Sequence, residues 1–329
     1  MLFPTAGIEI PIWLPPLVAF VISSFTSMGG VSGAFLLLPF QMSVLGYVNP
    51  SVSATNHLFN VVAIPGGVYR YYREGRLVWP LTAAVIAGTL PGVFLGALVR
   101  VAWLPDPARF KLFAAGVLLY IGQRMVRDLV RSARGPAAPS SGEQRFRELM
   151  RQQRDPVRQS PSGSEGPGAA ALPPAVRVVH CGPRRLEYTF CGEVFVVRTW
   201  GILALSFIVG VVGGIYGIGG GAIIAPFLVS FFGLPVYTVA GAALLGTFVT
   251  SAAAVGFYQA MAPLFPNAGV APDWLLGALF GLGGMAGMYL GARCQKLVPA
   301  RAIKWLLAGI MVFTALRYVA AFAWAHWHS

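Results

Sequence analysis

Charge is what this 329-residue sequence has least of: Lys, Arg, Asp and Glu together make up 11% of it, against about a quarter in a soluble domain. That scarcity excludes an ordinary cytoplasmic enzyme, and with 56% hydrophobic residues it places the chain in a bilayer. Three cysteines cannot staple a chain of this length, so a disulfide framework is excluded. Also missing are the alternating stretches of roughly ten residues that mark a membrane β-barrel. The apolar runs are long and unbroken, and an all-α polytopic membrane protein is expected.

Acidic residues are scarcest of all, 11 against 24 basic ones, for a net charge of +13. Such an excess resembles a nucleic-acid footprint until its position is read. Thirteen of the 24 Lys and Arg and seven of the 11 acids lie between Arg124 and Arg198. Within that stretch, residues 135–142 and 160–168 are Gly, Pro, Ser and Ala with a single Glu, a composition that buries no core. A solvated linker is expected at 132–198. Glu143 to Arg154 reads as a short solvated helix, with a basic helix on the membrane surface as the other reading. Val176 to His180, Leu186 to Phe190 and Val194 to Val197 are short β-prone runs, and a small β-hairpin is expected within 176–197, the last two runs being joined by Cys191-Gly192-Glu193. His180, Cys181 and Cys191 match no strong zinc spacing, so neither a metal nor a cofactor is expected, and no nucleic-acid partner is needed.

Outside the linker the basic residues set orientation, because loops rich in Lys and Arg stay in the cytoplasm. Arg70, Arg73 and Arg76 mark the loop after Tyr72 as inside, and Arg293, Lys296, Arg301 and Lys304 do the same near residue 297. The uncharged loop from Gln259 to Pro272 reads as outside. Arg100, Arg109 and Lys111 are an exception, flanking a turn that the alternation also places outside. Glu9, Glu74, Asp106 and Asp273 fall at ends or turns, so the spans read as free of carboxylates. A carboxylate-based proton or cation relay therefore lacks its parts.

The chain repeats its own plan. Gly29-Gly30-Val31-Ser32-Gly33 leads through Ala34 to Pro39-Phe40, and Gly217-Ile218-Gly219-Gly220-Gly221 leads through Ala222 to Pro226-Phe227. Three long apolar segments follow each, at 50–72, 77–101 and 106–130, and at 235–258, 273–295 and 300–325. Equivalent loops carry opposite charge character: the one after Tyr72 is arginine-rich, the one after Tyr258 uncharged. Equivalent loops on opposite faces are the mark of inverted-topology repeats. The expected organisation is repeat 1 at 1–131, a cytoplasmic linker, and repeat 2 at 199–329. Each repeat is a glycine-broken hairpin plus three helices, giving ten membrane segments with the half-helices counted. Both termini then face outside, and the N-terminus, poor in basic residues, reads as extracytoplasmic rather than as a cleavable signal.

Glycines at Gly88, Gly92 and Gly96, and at Gly277, Gly281, Gly284, Gly287 and Gly291, read as close helix packing. The consecutive glycines read differently, since they break helices and expose amides at the start of the next half-helix, where anions bind. The expected substrate site joins Gly29, Gly30, Ser32 and Gly33 to Gly217, Gly219, Gly220 and Gly221 at the midplane. Asn56, His57 and Asn60 from one repeat, and Thr247, Thr250 and Ser251 from the other, would donate hydrogen bonds. Lone threonines in such helices usually bond their own backbone, whereas Asn56, His57 and Asn60 are costlier in lipid. A neutral interhelical donor is the plainer reading of His57.

These paired glycine motifs, with Ala54-Thr55-Asn56-His57 and Ala240-Gly241, resemble the TauE/SafE family over nearly all of the chain outside the linker. The resemblance implies an inner-membrane transporter, not an enzyme, that moves sulfite, sulfonates or related sulfur anions, in many members outward. Ser32 departs from the motif where the second copy has glycine. Two other readings remain: an anion channel using the same parts, and a rhomboid-like protease. Gly30-Val31-Ser32-Gly33 fits a Gly-x-Ser-Gly motif with His57 as base, but the second copy has no serine there.

Overall fold

The computed structural model describes residues 1–29, 31–73, 77–133, 177–182, 184–190, 193–266, 268–294 and 300–327, and among them eleven helices carry the architecture. Gly30, Cys191, the Gly/Pro/Ser-rich stretches and the expected helix from Glu143 to Arg154 lie outside the described residues. After a two-strand hairpin, β1 (Leu2–Phe3) and β2 (Ile8–Glu9), come α1 (Leu14–Gly29), α2 (Ala34–Ser43), α3 (Ser51–Ala63), α4 (Pro65–Arg73), α5 (Trp79–Ala102) and α6 (Pro107–Ala133). Strands β3 (Arg177–Cys181), β4 (Arg185–Phe190) and β5 (Glu193–Arg198) form an antiparallel sheet, one strand on each of the three β-prone runs, with β3 added to the expected hairpin. Then follow α7 (Thr199–Tyr216), α8 (Gly220–Phe232), α9 (Val236–Met261), α10 (Trp274–Cys294) and α11 (Ala300–Trp327).

Five helices, α5, α7, α9, α10 and α11, are long and apolar enough to cross a membrane, while α1, α2 and α8 are apolar but shorter. Two expectations need correction. The segment at 50–72 is two helices, because Pro65 has no N–H with which to continue α3 and opens α4 instead. The last segment of the first half, α6, is long, yet its charges keep it out of the apolar set, and it carries Asp128 within its length on an exposed face.

Glycine spacing explains how the helices pair. On α5, a Cβ at Gly88, Gly92 or Gly96 would fall 2.7, 2.3 or 2.3 Å from the carbonyls of Leu203, Phe207 and Val211 on α7. On α10, Gly283 and Gly287 stand equally close to the carbonyls of Pro16 and Phe20 on α1, as Gly291 does to Ser24. Only backbones without side chains approach this closely, and in lipid such contact is what holds helices together. Gly277, Gly281 and Gly284 of α10 instead receive Leu58, Val62 and Phe59 of α3. The remaining long pairs are α6 with α11, α9 with α5 and α9 with α3.

Both broken hairpins return to the end they came from. The Asn49 side chain donates to Thr5 O, the Ala6 amide donates to Asp273 and the Ser51 amide to Gly269 O, so the chain enters α1 and leaves α2 at the same end. At the other end of the bundle, Gly201 packs on Phe232, Thr199 Oγ1 donates to Gly182 O, and Tyr188 meets Thr238 at 3.0 Å. There the chain enters α7 and leaves α8 beside the three-stranded sheet.

Arg100 accounts for one of the three charges in the exceptional loop, while Arg109 stays exposed at the turn. Arg100 is not a loop residue: it is fully buried in the last turn of α5, donating to the carbonyls of Leu104 and Val48 and to Ser53 Oγ, with Phe110 3.7 Å below its guanidinium.

Candidate functional site

Helix α3 runs between the two helix breaks, and its polar residues divide between them. Thr55, Asn56, His57 and Asn60 are all buried, so each must find partners or leave an orphaned polar group in an apolar interior.

On the first-repeat side, α2 begins at Gly33 with no strong side-chain cap; the Ser32 hydroxyl reaches only as far as accepting from the Ala34 amide at 3.4 Å. Asn56 Nδ2 donates to Ala34 O at 3.1 Å, and its Oδ1 accepts from Gln41 Nε2 at 3.4 Å. Ser23 Oγ, which a Cβ at Gly33 would meet at 2.7 Å, is buried without a partner, as is Gln41 Oε1. Thr55 serves elsewhere, linking Tyr47 at 2.8 Å to the Asp273 amide at 2.9 Å.

On the second-repeat side the break is closed by glycine geometry. Gly217, at φ +87°, ends α7 with its amide and that of Ile218 both donating to Gly213 O, a left-handed cap. Gly219, at φ +74°, then turns the chain into α8, whose first amides have no side-chain cap. From α3, Ser53 Oγ donates to Ile215 O at 2.9 Å and Asn60 Nδ2 to Ile218 O at 3.1 Å. Tyr216 joins the two breaks, its hydroxyl donating to Phe35 O at 2.9 Å.

Ser251 of α9 is the point of convergence. Its Oγ accepts from Asn60 Nδ2 at 3.4 Å and meets His57 Nδ1 at 3.3 Å, and a Cβ at Gly219 would stand 2.8 Å from it. With Asn60 donating to the hydroxyl, the Ser251 hydrogen is left for His57 Nδ1, and the ring then carries its own hydrogen on Nε2. That Nε2 is buried and faces the Gly214 carbonyl, which accepts Tyr258 Oη at 3.1 Å and has a second lone pair to offer the ring. Asn60 Oδ1 is buried and has no partner among the described residues. It is thus the open polar atom of a buried cluster beside the start of α8, whose first amides have no side-chain cap.

Of the residues singled out from sequence, Asn60, His57, Ser251, Gly217 and Gly219 come together here. Asn56 and Gly33 belong to the other break, and Gly29 ends α1. Thr247 and Thr250 lie on the right helix but give their hydrogens to their own backbone, at Ala243 O and Gly246 O. Gly220 and Gly221 serve packing, against Thr89 and the Ala243 to Thr247 turn. Ser32 and His57 bond to different partners and not to each other. Sequence reasoning missed Ser23, Gln41, Ser53, Tyr216 and Tyr258. Gln41 alone carried a signal, as one polar residue in an apolar run. Among the described residues no cluster of His, Cys, Asp and Glu has the makings of a metal site.

A family model described as sulfite exporter TauE/SafE matches residues 16–318. No curated protein and no solved structure matches the chain.

Proposed function

The chain belongs to the sulfite exporter TauE/SafE family, and from that membership together with the buried polar cluster on α3 and α9 we propose that it is a membrane transporter of small sulfur-containing anions of the sulfite, thiosulfate or sulfonate type, working as an exporter. The observation that carries the reading is the buried cluster of Asn60, His57 and Ser251, with Asn60 Oδ1 open among the described residues, beside the start of α8. A bare oxyanion offers only acceptors. A hydrogen oxyanion such as bisulfite offers oxygens to the α8 amides and an O–H to Asn60 Oδ1, which favours sulfite among the three classes. Sulfite takes up a proton near neutral pH, which gives the pocket a means of choosing its protonation state.

The mechanism that suits this site is alternating access between two inverted repeats, 1–131 and 199–329, joined by the 132–198 linker on the cytoplasmic side with both termini outside. Support comes from the two hairpins entering from opposite ends of the bundle, and from the reciprocity of the pairs α1 with α10 and α7 with α5. The setting is a bacterial-type inner membrane, with no cofactor and no enzymatic step. Purified protein in liposomes is expected to take up sulfite, thiosulfate or a small sulfonate saturably and to exchange labelled for unlabelled anion. If none of the three moved under any gradient, the reading would be wrong; conductance without exchange would indicate a channel.

A further inference from the structure

A groove of about 300 Å³ opens between α1, α2 and α11 on the opposite flank of α2 from Asn56. Ile22, Leu36, Phe40 and Phe313 are among the residues forming its walls, and Arg317, Ser43 and Tyr318 gather at its polar end. Arg317 lies within the apolar stretch Arg301–Trp324, which is suited to crossing a membrane, on an exposed face of α11. It has no hydrogen bond or ion pair among the described residues. The neighbouring hydroxyls turn to each other and to the backbone: Tyr318 Oη meets Ser43 Oγ at 2.7 Å and donates to Pro39 O at 3.4 Å.

The packing of α6 on α8 supplies a comparison. Arg124 is the eighteenth residue of α6, as Arg317 is of α11. Arg124 donates to Pro226 O at 2.6 Å and Ser230 Oγ at 3.1 Å, the counterparts of Pro39 and Ser43, and Tyr120 stacks on Phe227 where Phe313 faces Phe40. There the cation is satisfied by protein. At Arg317 the same contacts go to a tyrosine, and a guanidinium is left facing lipid with nothing to neutralise it, a costly state that a bound anion relieves.

We propose that this groove binds one membrane phospholipid with a net anionic headgroup, its phosphate on Arg317 with the Ser43 and Tyr318 hydroxyls beside it and an acyl chain along Ile22, Leu36 and Phe313. No carboxylate lines the groove to receive the cationic part of a zwitterionic head. The proposal depends on α11 lying in the membrane and not on which anion is transported.

The test uses the full chain, delipidated in mild detergent and titrated with phosphatidylglycerol, with retained lipid counted by native mass spectrometry. Wild type should hold one phosphatidylglycerol per chain in preference to phosphatidylcholine. Arg317→Gln should weaken retention at least tenfold, Arg317→Lys should keep part of it, and Arg124→Gln should leave it unchanged. Phe313→Ala, which trims a 63% exposed ring, should weaken retention with the cation intact, and together with Arg317→Lys it keeps the test decisive if Arg317→Gln does not fold. Equal retention by wild type and Arg317→Gln, no preference between the two lipids, or displacement by inorganic phosphate would overturn the proposal.

Discussion

Replacing Gly219 with alanine is the sharpest probe of the pocket. Gly219 sits at φ +74° and ψ 146°, a region open almost only to glycine, where any other residue is strained by about 1–3 kcal/mol. Its new methyl would stand 2.8 Å from Ser251 Oγ, 3.1 Å from Thr247 Cγ2 and 3.2 Å from Thr247 O. The cheapest relief is rotation of Ser251, which gives up its bonds to His57 and Asn60 at about 1 kcal/mol each. The total is on the order of 3 kcal/mol, or about a hundredfold in the population of the assembled pocket at roughly tenfold per 1.4 kcal/mol. Initial rates of labelled sulfite uptake into liposomes, at matched protein content, should fall by about that factor, with a lower melting midpoint. Gly256→Ala, on the same helix as Ser251 but with open space around its Cβ, should leave both unchanged or slightly raise stability. Uptake by Gly219→Ala within twofold of wild type would refute the placement of the site.

Four further outcomes follow from the contacts. Asn60→Leu orphans Ile218 O and removes the free acceptor, so uptake should drop at least about tenfold; a normal saturation curve would count against the pocket. Arg100→Leu strips donors from Val48 O, Leu104 O and Ser53 and should cost about 2–4 kcal/mol, read as a fall in thermal stability in detergent. Gly92→Leu forces a side chain into the Phe207 carbonyl, 2.3 Å away at Cβ, and should abolish monodisperse protein on size exclusion. Asp273→Ala removes the acceptor for the Ala6 and Leu276 amides and should cost about 1 kcal/mol, visible in melting but not in the substrate preference.

How much of this was legible in the sequence depends on range. Glycine spacing on α5 and α10 announced close packing because small residues one turn apart have few other uses, and the packing is there. The Gly217 to Gly221 break was equally plain, since the left-handed turn it needs is a glycine conformation. The joint at Pro65 was present as Pro-Gly-Gly but was obscured by apolar residues on both sides. Arg100 looked like a loop charge because hydropathy registers the residue and not the carbonyls that fold back to meet it. The alliance of Asn60 and His57 with Ser251 spans 191 and 194 residues, and no local pattern encodes it. Thr247 and Thr250 show the converse: their helix position was right, but the nearest acceptor to each hydroxyl was its own backbone.

The glycine contacts between α1 and α10 and between α7 and α5 each tie a helix of one half of the chain to a helix of the other. The two halves are therefore interlocked, each carrying the other's broken hairpin. A chain cut in the linker would yield fragments that each lack the groove for their own hairpin, so the pieces should be recoverable only when produced together.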